Sequence, residues 1–374
     1  MDQHPASPRR KAPRRTKWIV AGVVLSLVAA ACGGGGDPPS VRIAEDFRDA
    51  DAGDIEPPAR VDAAALALPG MILWTNSTTW QRQLDTPEGP GVAVLFIQPG
   101  TPANDKGIAR GELLTKIDGD AVTNHEHAIS LLHGRPGEKR TLALKRGDEE
   151  EREVEISLER PRERSRRYIE ALLRTSPNDA VLHFLRAQSL GGTVQNNLED
   201  LNRAIEIDAR FVEAMSERAS IRWVQRLRTS EDDARRIATD ALAGWENALD
   251  IDPRNALLIS IRAAALVDIG QNERGKTEVE KSLAIDPSQA QALFTLARAE
   301  FNLKRPQEAL GPARGAVELN PYSNLFYWRL LERVFLALER KDDCVKTAAA
   351  VTPYVRALGS GAEDEAKALT DLCK

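Results

Sequence analysis

Three hexapeptides of one pattern end at Pro253, Pro287 and Pro321: Ala-Leu-Asp-Ile-Asp-Pro, Ser-Leu-Ala-Ile-Asp-Pro and Ala-Val-Glu-Leu-Asn-Pro, each 34 residues after the last. A fourth copy, Ala204 to Ala209, lies 44 residues before Pro253, so about ten extra residues separate it from the others. Between these marks apolar residues recur at intervals of three, four and seven, the period of a helix with one buried stripe. A proline that stops a helix every 34 residues leaves room for two helices per unit. One such pair cannot bury its own stripe, so the units must stack, and the stack needs ends that halt it. The second half of the chain is therefore constrained to a solenoid of antiparallel helix pairs.

The 34-residue period, with small residues at helix crossings and a closing proline, resembles the tetratricopeptide (TPR) repeat. On that template the repeats run over 178–211, 212–255, 256–289 and 290–323, with a degenerate fifth from Asn324. Ala187, Ala241, Ala263, Ala297 and Ala309 take the small positions, and Phe184, Trp245, Leu296 and Leu330 fill the seams. Ser165 to Leu173 caps the front and Ala362 to Leu372 forms a polar-faced last helix, so the repeat domain spans 162–374. The resemblance implies protein binding along a concave face. Arg222, Arg262, Arg298 and Arg329 on first helices are its candidates for meeting carboxylates, set against a reading as solvated faces. The extra residues, around Arg226 to Asp233, form either a longer hairpin or a partner contact.

At the other end, basic residues up to Lys17 precede an uncharged run from Trp18 to Ala31, then Cys32 and four glycines. A basic region, an apolar region and small residues at a cleavage point describe a signal peptide over 1–31. The uncharged run is shorter than the roughly 20 residues a membrane-spanning helix requires. Small residues before a cysteine resemble the lipobox of bacterial lipoproteins, which implies lipidation of Cys32 and a membrane anchor; plain cleavage after Ala31 and an uncleaved anchor are the alternatives. Each outcome exports the chain and anticipates an extracytoplasmic location. Residues 32–62, rich in Gly, Pro and acids, are expected to form a flexible tether.

Between tether and repeats, 64–160 is dense in turn signals. Gly91 to Ile97 is expected to form a buried strand, Leu113 to Ile117 a strand closed by Asp118-Gly119, and His125 to His133 a short helix capped by Thr123-Asn124. Two more strands follow, Arg140 to Lys145 and Arg152 to Leu158, while Asn76 to Pro90 is left as a long loop. The run PGTPANDKGIARGELLTKIDG, Pro99 to Gly119, resembles the core of bacterial PDZ domains, especially those of trypsin-like envelope proteases. The resemblance implies an α+β PDZ-like sandwich or barrel that holds an extended C-terminal peptide between a strand and a helix. By that likeness Leu68, Pro69, Gly70 and Met71 form the carboxylate-binding turn and Ile72 and Leu73 start the pairing strand. Ile129 and Leu132 line the side-chain pocket, and His125 is placed to hydrogen-bond a peptide side chain. Pro69 brings no N–H to that turn.

Composition narrows the rest. Without the first 31 residues, 45 basic and 55 acidic residues remain, a net −10, which does not steer a chain onto phosphate backbones and argues against a nucleic-acid partner. Three of five histidines (His125, His127, His133) cluster, yet positions two apart on a helix do not share a face, and no metal or cofactor is expected. Cys344 and Cys373 are expected to pair in an exported chain and pin the last helix. No Gly-x-Ser-x-Gly elbow, phosphate loop or His-Glu-x-x-His motif occurs, so catalysis has no candidate nucleophile–base pair. The expectation is a non-catalytic membrane-tethered adaptor, holding protein C-termini or extended peptides through the PDZ-like unit and other envelope proteins through the repeats. The alternative is a regulatory subunit of an envelope protease or secretion complex.

Overall fold

The computed structural model describes residues 69–159, 165–189, 192–322, 325–358 and 362–374. The expected signal peptide, Cys32, the tether and Leu68 lie outside the described residues. Six strands come first: β1 (Met71–Thr75), β2 (Val92–Ile97), β3 (Leu113–Ile117), β4 (Asp120–Ala121), β5 (Lys139–Lys145) and β6 (Arg152–Ser157). They form one antiparallel sheet in the order β1-β2-β3-β5-β6, with β4 paired to β3. Three short helices accompany it: α1 (Thr78–Leu84), α2 (Pro102–Asp105) and α3 (His125–Leu132).

Twelve more helices follow: α4 (Ser165–Thr175), α5 (Ala180–Gln188), α6 (Val194–Ile207), α7 (Val212–Gln225), α8 (Glu231–Ile251), α9 (Ala256–Asp268), α10 (Asn272–Ile285), α11 (Ala290–Asn302), α12 (Pro306–Leu319), α13 (Leu325–Ala337), α14 (Lys341–Ala357) and α15 (Ala362–Leu372). From α5 to α14 they pack as five consecutive pairs, an antiparallel sheet region thus being followed by a TPR-type solenoid. The repeat hexapeptides end the second helices: α8 and α10 stop one residue before Asp252-Pro253 and Asp286-Pro287, because a residue preceding proline is driven out of the helical region. The side chains of Asp179 and Asn255 then cap α5 and α9 by accepting from the N–H groups of Leu182 and Leu258. Helices α9 and α10 cross at Ala263 and Gly275, where a Cβ on the glycine would stand 3.0 Å from the Ala263 carbonyl oxygen and 2.6 Å from Val267. The residues added in the second pair make a longer hairpin: a 3₁₀ turn over Arg226–Arg228 leads into α8, which is 21 residues long.

The apolar run of β2 explains how the two halves meet. Val92 and Val94 enter the sheet's own core with Leu73, Leu114, Leu132, Leu142 and Ile156. Ala93, Leu95 and Phe96, with Trp74 of β1, enter a second core shared with Ile169, Val181, Phe184 and Phe211 of the helical array. The strand is buried on both faces, so it shows no polar alternation. The segment from Asn76 to Pro90, expected to be a loop, contains α1, and Trp80 of that helix is 0% exposed. Its ring lies 5.8 Å from Phe184 and 5.4 Å from Phe211, and its Nε1–H donates to the Thr75 carbonyl at 3.1 Å.

Polar contacts fasten the sheet unit along the array. Arg110 makes a bidentate pair with Asp179 at 2.7 and 2.9 Å. Arg82 and Gln83 reach Asp208 at 2.5 and 2.6 Å, and the Ser77 hydroxyl donates to Glu213 at 2.5 Å. At the far end Asn124 donates to Asp286 at 2.8 Å, and Glu126 accepts from the Gln291 N–H at 3.1 Å.

Candidate functional site

The strand edge expected to receive a peptide is β1. Among the described strands β1 pairs only with β2, and α3 lies along its other side. Gly70 has φ +75°, a left-handed conformation that only glycine adopts without strain, and a Cβ there would come within 2.5 Å of Thr101. Bulk at Gly70 therefore collides with Thr101 behind the turn. Pro69 is buried, Met71 and Ile72 are half-buried, and Leu73 is 5% exposed in the sheet core. Ile72 packs toward the helical array, and Met71 toward the sheet core.

On the helix side Ile129 is half-buried, but Leu132, expected in the pocket, is 1% exposed and belongs to the sheet core. His125 makes contacts within the protein through its backbone N–H, Nδ1 and ring face, while its Nε2 has no hydrogen-bond partner among the described residues. Its backbone N–H donates to the Thr75 hydroxyl oxygen at 3.1 Å, its Nδ1 lies 2.9 Å from that oxygen, and its ring stacks on Trp74 at 5.1 Å and 9°. Thr75 and Trp74 belong to β1 and His125 to α3, so these contacts bridge the groove at the end where an extended ligand would leave it. Phe184 of the array closes the same end, edge-on to Trp74 at 5.1 Å. The PDZ resemblance revealed the strand and helix but could not reveal that the array abuts them.

Beyond this bridge the structure opens. A cavity of about 760 Å³ is walled by the first helices of four successive pairs, with Trp223 of α7, Leu257 and Ile261 of α9, Phe294 and Arg298 of α11, and Phe326, Arg329 and Arg333 of α13. His125 and Glu126 of α3 and Leu372 of α15 complete it. A second cavity of about 470 Å³ between sheet unit and array shares His125, Glu126, Leu257 and Ile261 with the first. Gly70, Met71, Ile72 and Ile129 line neither.

The four arginines proposed from sequence part company here. Arg298 and Arg329 line the large cavity, Arg262 pairs with Glu278 at 2.9 Å, and Arg222 is exposed and lines neither cavity. Arg298 pairs with Asp268 and Arg329 with Glu365. Arg333, which the sequence reading overlooked, lies one repeat on from Arg298, 4.9 Å over the Phe301 ring, and has no carboxylate within ion-pair distance among the described residues. The repeat spacing was the available signal, since α13 begins 35 residues after α11 and Arg333 follows Arg298 by the same interval.

Burial controls the ionisable groups of the wall. It lowers the His125 pKa to about 4, with Asp286 opposing, and raises that of Glu126 to about 7 despite hydrogen bonds from Gln291 and Tyr327. For His125 the folded pKa lies below the unfolded 6.5, so its part of the stability is present above 6.5 and lost as pH falls through 4. Glu126 runs oppositely, its part being present below 4.5 and lost as pH rises through 7. His125→Phe keeps a ring against Trp74 and removes the titration. Urea titrations at pH 7 and pH 4 should show the native chain losing up to about 3 kcal/mol more than the variant between the two. Equal losses would mean that His125 titrates normally. Among the described residues no group of three or more His, Cys, Asp or Glu is placed to hold a metal ion.

Comparison with known proteins agrees with both halves. Residues 94–146 match the family model of the PDZ domain. The chain is 31% identical over 81 residues to small glutamine-rich tetratricopeptide repeat-containing protein 2 of Mycosarcoma maydis, covering 22% of this chain and 23% of that protein. It is 27% identical over 81 residues to the STIP1 homolog of Dictyostelium discoideum, covering 22% and 14%. The chain thus spans less than a quarter of the length of either relative. Among solved structures it is similar to TTC0263, a thermophilic TPR protein of Thermus thermophilus, at 20% identity and a TM-score of 0.41, over 46% of this chain and 89% of that one.

Proposed function

We propose that this chain is a non-catalytic adaptor that captures extended segments of partner proteins in the concave cavity of its helical array, with the PDZ-type unit as a fixed wall. The observation that carries this reading is the 760 Å³ cavity itself, lined by Trp223, Leu257, Ile261 and Phe294, with Leu372 39% exposed in its wall. Large apolar side chains left open in a concavity mark a place where another chain loses water. Fluorescent peptide libraries titrated against the full chain test it. Phe294→Ala and Phe326→Ala should each weaken binding about tenfold, near the 1.4 kcal/mol expected for losing part of an aromatic contact. Loss of binding in Ile129→Glu with no change in the phenylalanine variants would instead assign capture to the groove between β1 and α3, a second reading favoured by β1 pairing with β2 alone among the described strands.

The leader supports an exported adaptor held to a bacterial membrane by lipid on Cys32, with envelope proteins as its partners. Among the described residues no helix is long and apolar enough to cross a membrane. Metabolic labelling with a fatty acid should mark the native chain and be lost in Cys32→Ser; label that persists in the variant would reject Cys32 as the attachment site, and an unlabelled native chain would reject lipid attachment.

A further inference from the structure

The cavity has a chemical layout along its axis. By their places along α11 and α13, Gln291 with His125 and Glu126 lies toward one end, Phe294 and Arg329 lie level in the middle, and Arg298 and Arg333 lie toward the other end, where Asp268 pairs with Arg298. Gln291 and Arg298 both sit on α11, seven residues and therefore about 10 Å apart, the length of about three residues of extended chain. The occupant that fits is an extended segment with apolar side chains for the floor and acids a few residues away for the arginines. Arg333 in particular presents a cation with no partner carboxylate among the described residues.

The chain contains such a segment. Ile43-Ala-Glu-Asp-Phe-Arg-Asp-Ala-Asp-Ala-Gly-Asp-Ile55, outside the described residues, places Ile43 and Phe47 on either side of Glu45 and Asp46, with Asp49, Asp51 and Asp54 following and Arg48 the one cation. Phe47 lies 22 residues before Pro69, where the described chain begins, and that interval reaches up to about 70 Å. Six residues take the chain from Pro69 to Thr75, whose hydroxyl contacts His125 at the cavity wall, a span of about 20 Å. The reach is ample, and a segment tied to the same chain competes at an effective concentration that free partners seldom match. We infer that residues 43–55 occupy the concave cavity in cis, Phe47 on the apolar floor near Phe294 and the acids against Arg298 and Arg333, and that a partner segment binds by displacing them. This rests on the cavity being the capture site.

Photo-crosslinking in the full chain tests it, with p-benzoylphenylalanine in place of Phe47. The expected result is intramolecular crosslinks to peptides that carry Phe294 or Phe326, independent of protein concentration and reduced severalfold by Arg333→Glu. A second set, Glu45→Gln with Asp46→Asn and Asp49→Asn, lies outside the folded body and should raise the affinity for a cavity-binding library peptide about tenfold. Crosslinks scattered over the surface, or formed only between copies as concentration rises, would overturn the inference. Cavity crosslinks without any peptide binding would leave the cis contact standing and remove the adaptor reading; peptide binding sensitive to Phe294 with no cavity crosslinks would do the reverse.

Discussion

Trp80→Ala is expected to cost about 4 kcal/mol and to split the unfolding of this protein into two transitions. The side chain is fully buried between the sheet unit and the array, and truncating a buried tryptophan costs about 3–5 kcal/mol in lost transfer energy and cavity formation. The loss falls at the seam: Phe184 and Phe211 lose their neighbour, and the Thr75 carbonyl loses its donor. Apart from the Trp80–Thr75 hydrogen bond, contacts within each half are kept, so the sheet core around Leu114 and Leu142 and the helical core around Leu293 and Leu331 should melt separately. Calorimetry of the variant beside Trp80→Phe, which refills most of the volume, reads this directly. A single transition at the native temperature in Trp80→Ala would show that the seam contributes little to joining the two halves.

The second large effect belongs to the end of the array. Cys344 of α14 and Cys373, just after α15, form a disulfide with a Cα–Cα distance of 5.6 Å and a sequence separation of 29 residues. Closing a loop of that size removes chain entropy from the opened state equivalent to about 3.5 kcal/mol. Helix α15 has few other holds: Ala366 and Leu369 are buried, while Arg329–Glu365 and Arg356–Glu363 are ion pairs near the surface. Cys373→Ser, or reduction of the native chain, should therefore lower amide protection across α15 by about 100-fold or more while α11 and α12 keep theirs. Because Leu372 and Ala368 form part of the cavity wall, peptide binding should weaken in the same samples. Unchanged protection after reduction would mean that packing alone holds the helix.

Much of this architecture was legible because it repeats. The Asp-Pro marks at Pro253 and Pro287 place helix ends by a local steric rule, and Ala263 and Ala297 mark crossings where larger side chains do not fit. The β2 strand was legible as buried, but nothing in Val92 to Phe96 says that its second face meets helices roughly 90 residues downstream. The same limit hid α1. Asn76 to Pro90 carries Gly, Pro and Asp turn signals, and Trp80 within it is a single aromatic whose partners, Phe184 and Phe211, lie more than 100 residues away. The packing of the groove residues was hidden for the same reason. Leu132 has one helix face to occupy and the sheet core took it, while His125 was claimed by Thr75 and Trp74, which are neighbours only in the folded chain.

Stacked helix pairs touch only their neighbours and can stretch or coil like a spring. In this protein the sheet unit is fastened to Asp179, Asp208 and Asp286, spanning three pairs, and so acts as a strut that holds the curve at one radius. A cup braced in that way spends little conformational freedom when something enters it, and its selectivity becomes a matter of shape set in advance.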